Sequence, residues 1–272
     1  MVKKRVNSLS IWLFESFLKH SDIRHFVSSR VGGVSKTPYA SLNLGFHVGD
    51  DFQNVLQNRK LLASALGSPL NNFTTAKQIH DGKVTIITEE SKGRGAAEYE
   101  MAIDDTDAMV TNVPDICLMI LVADCVPILF YDPRKRAIGC AHAGWRGTVG
   151  LIAQNTVKIL QEKFSSLPED IIVGIGPSIG PHCYEVGTEV VTQVEAISKE
   201  GKTHLTHSSL GNGWYFNLWE ANKDQLVEMG IPEQNIEIAE LCTYCNSDKF
   251  FSARRQGGKT GRFGVGIMLK DE

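Results

Sequence analysis

A cysteine and a histidine flank the most apolar part of this chain. Ala123-Asp124-Cys125-Val126-Pro127 interrupts the apolar run Ile116 to Tyr131, and Cys140-Ala141-His142-Ala143-Gly144-Trp145-Arg146-Gly147 follows the turn Asp132-Pro133-Arg134-Lys135. The fixed φ of Pro133 suits that turn. If the two runs pair as a hairpin, the pairing is centred near Arg134. Cys125 then lies opposite position 142 or 143, give or take one residue, and a thiol meets an imidazole across two strands. Polar groups inside an apolar strand are costly unless they have partners, so the pattern marks a site. Such a pair has two chemistries: a thiolate nucleophile with a histidine base, or metal ligation. A third member decides between them. Gln78-Ile79-His80-Asp81 precedes a glycine and a strand-like run, a turn position from which an imidazole can project. Cysteine and two histidines would leave a fourth position open on zinc, the pattern of a catalytic rather than a structural ion. His80 is one of eight histidines, and spacing alone leaves both chemistries open.

Several familiar motifs are absent. Gly257-Gly258-Lys259-Thr260 ends like a phosphate-binding loop, but Ala253 stands where the first glycine belongs. Gly174-Ile175-Gly176-Pro177-Ser178-Ile179-Gly180 places its last glycine one position late for a dinucleotide fingerprint. There is no His-Glu-x-x-His. The zinc-deaminase signature fails too, because no histidine has glutamate two residues on and Leu241 precedes Cys242. Cys242-Thr243-Tyr244-Cys245 is a lone Cys-x-x-Cys, at most half of a structural zinc site. It is read as a pair of buried structural thiols.

The chain that must position these residues has 272 residues, 42% hydrophobic and 22% charged, with a net charge of −3. Its mean hydropathy is −0.12. These values describe a globular chain with a sizeable core, not a disordered or fibrous one. The absence of a basic excess argues against nucleic acid as a partner. No apolar stretch approaches the roughly 18 residues of a membrane helix. Lys3-Lys4-Arg5 ahead of Ile11-Trp12-Leu13-Phe14 is not followed by a small-residue cleavage site, so a signal peptide is rejected. Six cysteines in a chain of this length are too sparse for a disulfide scaffold. They are read as thiols of a cytoplasmic protein.

No repeat or linker divides residues 1–272, which read as a single domain. Strands are expected at Ile11–Phe14, Ile23–Ser28, Val84–Thr88, Ile116–Tyr131, Ala137–His142, Ile171–Ile175 and Ile236–Leu241, with a C-terminal pair ending at Leu269. A helix from Asp51 to Leu66 is expected to bury Phe52, Val55, Leu56, Leu62 and Leu66, with Gly67 closing it. Others are expected from Gly147-Thr148 to Phe164 with Thr148 as N-cap, over Thr188–Ile197, and over Trp219–Met229. Mixed strands and helices without strict alternation indicate α+β.

In these residues the chain resembles the YfiH/YlmD-type family, once described as multicopper polyphenol oxidoreductases. The likeness runs through Lys77-Gln78-Ile79-His80, Ala123-Asp124-Cys125-Val126-Pro127 and His142-Ala143-Gly144-Trp145-Arg146-Gly147. It extends to Ser29-Arg30-Val31-Gly32-Gly33-Val34-Ser35, Leu42-Asn43-Leu44-Gly45, His47-Val48-Gly49-Asp50, Asp105-Thr106-Asp107-Ala108, Gly176-Pro177-Ser178-Ile179-Gly180, Cys183-Tyr184-Glu185-Val186 and Phe250-Phe251-Ser252 with Arg254-Arg255. The resemblance implies a four-layer αββα sandwich and zinc bound by His80, Cys125 and His142, which would also be the catalytic residues. It implies phosphorolysis of adenosine, inosine, guanosine and methylthioadenosine, with adenosine deaminase activity at the same site. Purine nucleosides and phosphate are then the partners, without nucleic acid or membrane. Zinc suits both reactions, since it can acidify a bound water or hold an anionic nucleophile.

Around the three ligands, Arg30, Arg146, Arg254 and Arg255 are candidates for phosphate, which guanidinium groups bind bidentately. His47 is expected to reach the pocket from its loop. Asn43 and Gln78 are candidates for ribose or base, and Tyr184 for stacking on a purine. Asp124 is a candidate to orient a ligand imidazole, with turn capping as its alternative. Cys140 shares a strand face with His142 and is read as a small buried hydrophobe.

Other functions share these residues. A cysteine hydrolase or deamidase is the first, because the family's fold resembles that of cytotoxic necrotizing toxins and some relatives are linked to editing of peptidoglycan precursors. A non-catalytic zinc-stabilised protein is the second, and the open fourth position argues against it. The third is a copper-dependent polyphenol oxidase. Multicopper clusters are built largely from His-x-His pairs, and none of the histidines at 20, 25, 47, 80, 142, 182, 204 and 207 forms one. The expectation is one metal per chain, zinc, with copper an adventitious occupant of the same ligands.

Overall fold

The apolar run from Ile116 to Tyr131 is not one strand. In the computed structural model, which describes residues 1–197, 204–208 and 213–271, it forms Cys117–Val122 and Val126–Asp132, and these belong to different sheets. Ala123-Asp124-Cys125 carries the chain from one sheet to the other, with Asp124 at φ +95°. The polar interruption of the sequence is therefore a crossing point.

The first sheet runs Val2–Val6, Leu9–Leu13, Ile23–Ser28, Phe263–Leu269, Cys117–Val122, Phe73–Thr74. The second runs Ile236–Ile238, Ile172–Ile175, Val126–Asp132, Ala137–Ala143, Ala108–Thr111, Val84–Ile86. A small third sheet joins Glu185–Val186, Trp214–Phe216 and Leu205–His207. Side chains alternate across each strand, and here they divide between separate buried clusters. Leu118, Ile120 and Val122 of the first sheet meet Leu129, Tyr131, Ile138 and Cys140 of the second. On the first sheet's other face, Cys117, Met119 and Leu121 pack with Leu62 and Ala63 of the helix Phe52–Ala65. On the second sheet's other face, Ile128, Phe130, Ala141 and Ala143 pack with the helices Ile152–Phe164 and Leu218–Glu228. This is an α+β fold with the burial that a four-layer αββα sandwich requires.

The hairpin pairs Val126 with Ala143 and Pro127 with His142. Cys125 stands one step beyond the last pair, level with Gly144, within the single residue of slack allowed above. Several boundaries differ from expectation. The helix expected from Gly147-Thr148 onward is two helices, Trp145–Val149 and Ile152–Phe164, separated at Leu151 with φ +60°. Thr148 is no N-cap: it is buried in the first of them and accepts a hydrogen bond from Asn222 Nδ2 at 3.0 Å. Only one C-terminal strand, Phe263–Leu269, is present among the described residues. The basic segment at the N-terminus is an edge strand paired with Leu9–Leu13. Among the described residues no helix is long and apolar enough to cross a membrane.

The helix Phe52–Ala65 starts as its sequence indicates, with Asp51 accepting from Asn54 N at 3.0 Å. Its buried face is more polar than expected. Phe52 is 45% exposed, whereas Asn58 and Arg59 are buried. Arg59 donates to the carbonyls of Leu44 at 2.8 Å, of Ala96 at 2.9 Å and of Gly95, and its guanidinium lies 4.4 Å from the Phe46 ring centre. It thus clamps the loop carrying His47 to the loop leading to Tyr99. Three carbonyls would lose their donor in Arg59→Met, at about 2–4 kcal/mol of folding free energy. Urea unfolding measures this. An unchanged midpoint would mean that the guanidinium's own desolvation cancels its hydrogen bonds.

Candidate active site

His80, Cys125 and His142 come together from three places in the fold, and their ligand atoms all lie within 4.8 Å of one another. His142 is held in the strand Ala137–Ala143, Cys125 ends the crossing segment, and His80 sits in a loop at φ +62°. The two imidazoles meet edge to face, with centres 4.7 Å apart. Gly144 leaves room for them: a Cβ there would lie 3.1 Å from Cys125 Sγ and 3.2 Å from His80 Cδ2.

One side chain missed by sequence reasoning organises this group. Asp107 directly precedes the strand Ala108–Thr111 and is 1% exposed. Its carboxylate accepts from the backbone N–H groups of Ile79 at 3.2 Å, His80 at 3.0 Å and Asp81 at 2.8 Å. It also lies 2.8 Å from His142 Nδ1. An ionised carboxylate only accepts, so Nδ1 donates to it and Nε2 is the nitrogen left to face Cys125 and His80. Burial opposes the charge of Asp107, but the hydrogen bond from His142 and those from the loop outweigh it and lower its pKa. The signal available in the sequence was Asp104-Asp105-x-Asp107 immediately before an apolar strand.

The electrostatics follow from this arrangement. Burial works against a Cys125 thiolate, yet the charge and hydrogen bond of His142, with help from His80, bring its pKa down to about 6. Burial likewise disfavours a charged His142, and Cys125 and Asp107 outweigh it, raising its pKa to about 9. The protein by itself thus favours a deprotonated sulfur, the form that binds metals and attacks electrophiles.

The three residues line a cavity of about 380 Å³ shared with His47, Gln78, Tyr99, Tyr184, Arg254 and Arg262. That volume is within the usual range for small-molecule sites. The His47 and Tyr99 rings are 5.5 Å apart. Burial, then Arg262 and Arg59, press His47 down to about 4. Gln78 lines the cavity but spends its amide on the backbone of Leu121, donating and accepting at 2.9 Å. Arg254 donates to the Glu185 carbonyl at 2.9 Å and lies 5.3 Å from the Tyr184 ring centre. Arg146 stacks on Trp145 at 4.3 Å in a smaller cavity of about 190 Å³, which shares His80, Cys125 and Tyr184 with the first.

Other sequence candidates lie elsewhere. Asn43 is fully buried, donating to Asp50 at 2.9 Å and to the Gly45 carbonyl, and accepting from the N–H groups of Gly45 and Arg262. Its hydrogen bonds secure the His47 loop, and it does not line the cavity. Arg30 donates to the carbonyls of Ala40 and Ser247 and covers the Phe251 ring, committed to holding loops. Arg255 covers the Tyr244 ring, outside the cavity. Asp124 orients no imidazole: it accepts from Thr243 Oγ1 at 2.6 Å and Arg254 N at 2.7 Å, which leaves that task to Asp107. Arg262 and Tyr99 were not among the sequence candidates. Arg262, following Gly-Lys-Thr-Gly at the start of the last strand, was the more legible of the two. Cys140 is fully buried between the sheets, as expected.

Comparison with known proteins agrees with this architecture. Residues 24–270 match the family described as multi-copper polyphenol oxidoreductase laccase. A purine nucleoside phosphorylase YlmD from Geobacillus stearothermophilus is 39% identical over 247 residues, covering 90% of each chain. An adenosine deaminase RL5 from an unknown prokaryotic organism is 34% identical over 248 residues, covering 91% of this chain and 94% of its own. The crystal structure of YlmD from Geobacillus stearothermophilus superposes with a TM-score of 0.93 at 36% identity, covering 98% of each chain.

Asp107→Asn keeps the shape but removes charge and acceptor capacity. It is expected to weaken metal binding by His80, Cys125 and His142 by about 10–100-fold. Competition with a chelator measures the change, and equal affinity in the variant would show that the carboxylate does not set the ligands.

Proposed function

The chain belongs to the multi-copper polyphenol oxidoreductase laccase family, and from that membership and its cavity we propose a zinc-dependent purine nucleoside phosphorylase with adenosine deaminase activity at the same site. Residues 1–272 act as one catalytic unit. The observation that carries the proposal is the meeting, on one cavity, of a His-His-Cys donor set with the guanidinium groups of Arg254 and Arg262. The relatives named for phosphorolysis and for deamination support both activities. Six cysteines in 272 residues, too sparse for a disulfide scaffold, support a cytoplasmic location.

The donor set fits zinc: one thiolate-prone sulfur and two imidazoles, one fixed in its tautomer by Asp107. Zinc held by His80, Cys125 and His142 would supply a Lewis acid with one coordination position open. The remaining work falls to the chain. In phosphorolysis a phosphate oxygen forms a bond to C1′ of the ribose while the C1′–N9 bond breaks. The bonding pair leaves with the purine, which takes up a proton. Arg254 and Arg262 bind and orient the phosphate, since guanidinium groups hold its oxygens without losing their proton. Tyr184 and Tyr99 offer ring faces to the base. His47, held neutral, is a hydrogen-bonding group that does not add to the positive charge. The apolar wall of Leu121, Val122 and Ile179 limits water at the reacting bond. In deamination the same base-binding residues present C6 of adenine to water, and ammonia departs.

A multicopper cluster is disfavoured, because the chain has no His-x-His pair and this group holds two imidazoles and one thiol; for the single ion, zinc is preferred to copper on cellular availability. Copper could still occupy the same three ligands. A second reading is favoured by the line Asp107–His142–Cys125, which has the connectivity of a cysteine nucleophile, its base and the group that orients the base. In that reading the protein is a hydrolase or deamidase that needs no metal.

Release of hypoxanthine from inosine should require phosphate and stop on metal removal, and adenosine should yield inosine. Cys125→Ala is expected to lose one zinc per chain and to slow cleavage by about 10²-fold or more. Loss of activity with zinc retained would make Cys125 the nucleophile. Arg254→Ala should raise the KM for phosphate by about 10–100-fold while leaving zinc content unchanged. An unaltered KM would remove Arg254 from the phosphate site.

A further inference from the structure

Cys242 and Cys245 were read from the sequence as buried structural thiols. The structure places both beside a second pair. His182, Cys183, Cys242 and Cys245 have ligand atoms within 4.8 Å of one another. Cys183 Sγ is 3.4 Å from Cys245 Sγ, which is 3.5 Å from His182 Nε2. We propose that these four residues bind a second zinc ion, at a closed structural site that staples a loop of the cavity wall to the Cys242-Thr243-Tyr244-Cys245 loop behind it. This inference is independent of the proposed reaction.

The donor set is the first support. Three cysteines and one histidine complete a tetrahedron with no position left for water, as in structural zinc sites. Zinc–sulfur bonds of about 2.3 Å imply sulfur–sulfur edges of about 3.8 Å, so the Cys183–Cys245 pair needs to widen only slightly from 3.4 Å to accept the ion. Burial supplies the second support. Hydrophobic packing explains a buried thiol such as Cys242, but Cys245 and His182 are exposed and Cys183 is half-buried. Core packing does not account for three exposed or half-exposed polar ligands converging on one point, and the exposure gives an ion a way in.

The backbone around the group supplies the third. Gly180 N–H donates to Cys242 Sγ at 3.1 Å, so the backbone of one loop holds the sulfur of the other in place. A side chain at Gly180 would crowd the group, with a Cβ 3.0 Å from His182 Cε1 and 3.1 Å from Cys242 Cβ. A tight turn directs the adjacent ligands, with the N–H groups of Cys183 and Tyr184 both bonded to the Gly180 carbonyl. The two loops already touch through a parallel bridge of Ser178 with Cys242 and through Thr243 N to the Ser178 carbonyl at 3.0 Å.

One loop is part of the active-site wall and the other supports it through Asp124. Tyr184 follows Cys183 directly and lines the cavity. Thr243, between the two cysteines of the other loop, bonds Asp124, which in turn holds Arg254 N. The ion would therefore fix the separation of Tyr184 and Arg254 without touching substrate. The sequence held a signal for it: His182-Cys183 adjacent in a Gly/Pro loop, a second half-site for the Cys-x-x-Cys.

The test is a metal count by elemental analysis on protein purified without chelator. Two zinc ions per chain are expected in the parent, one in Cys125→Ser/His142→Ala, and one in Cys242→Ser/Cys245→Ser. Cobalt added to the Cys125→Ser/His142→Ala variant should give thiolate-to-cobalt charge-transfer bands and intense tetrahedral d–d bands, both lost on adding His182→Ala. Should that background fail to fold, cobalt-loaded parent protein serves, with charge transfer matching four thiolates per chain rather than one. The proposal is overturned if the parent holds a single zinc that disappears with Cys125 and His142. It is equally overturned if mass analysis of the isolated protein finds a Cys183–Cys245 disulfide with no metal on His182 and Cys242.

Discussion

Asp107 is the constraint from which the active-site geometry follows. A carboxylate taken out of water must be paid in hydrogen bonds, and here three successive backbone N–H groups and one imidazole supply them. The loop cannot relax from its turn without stranding that charge, so His80 is kept in a left-handed conformation that a histidine seldom adopts. The same carboxylate fixes which nitrogen of His142 faces inward. Two potential ligands from distant parts of the sequence are set by one atom group, and it touches neither cavity nor substrate position.

The sheets explain how the third ligand joins them. His142 belongs to the second sheet, and His80 is bound through Asp107 to the start of a neighbouring strand of that sheet. Cys125 arrives from the other direction, on the segment that leaves the first sheet at Val122. Asp124, buried by the crossing, is satisfied by Thr243 and Arg254 and so draws the C-terminal loops over the same spot. Charged and polar groups gather there because each buried one recruits the next as its partner.

Much of this was legible in the sequence, for identifiable reasons. The Asp-Pro-Arg-Lys turn with apolar runs on either side specifies a hairpin and nearly its register, which places Cys125 beside His142. The α+β class follows from the mixture of apolar periods. The split of Ile116–Tyr131 between two sheets is less legible, since a strand buried on both faces has the same composition in either sheet. Asn43 and Arg30 look like site residues by type, and they sit in loops near the site. What they bind is backbone, and no spacing rule separates an arginine that holds carbonyls from one that holds phosphate. Asp107 was hidden for the converse reason, because three of its four partners are main-chain amides, which every residue has. His182-Cys183 and Cys242-x-x-Cys245 lie far apart in the chain, and only the fold makes them neighbours.

The crossing at Ala123-Asp124-Cys125 carries one more implication. A site assembled across the seam between two packed sheets is sensitive to shear: sliding one sheet over the other by a fraction of a residue would carry the sulfur away from both imidazoles. The side chains interleaved between the sheets, Leu129, Tyr131 and Ile138 against Leu118, Ile120 and Val122, resist that slip. They act as the teeth of a rack that keeps a distant alignment. Selection on chemistry at Cys125 then extends into an interior that contacts no ligand, and a silent-looking change of volume in that layer would register as a detuned site before it registered as an unfolded protein.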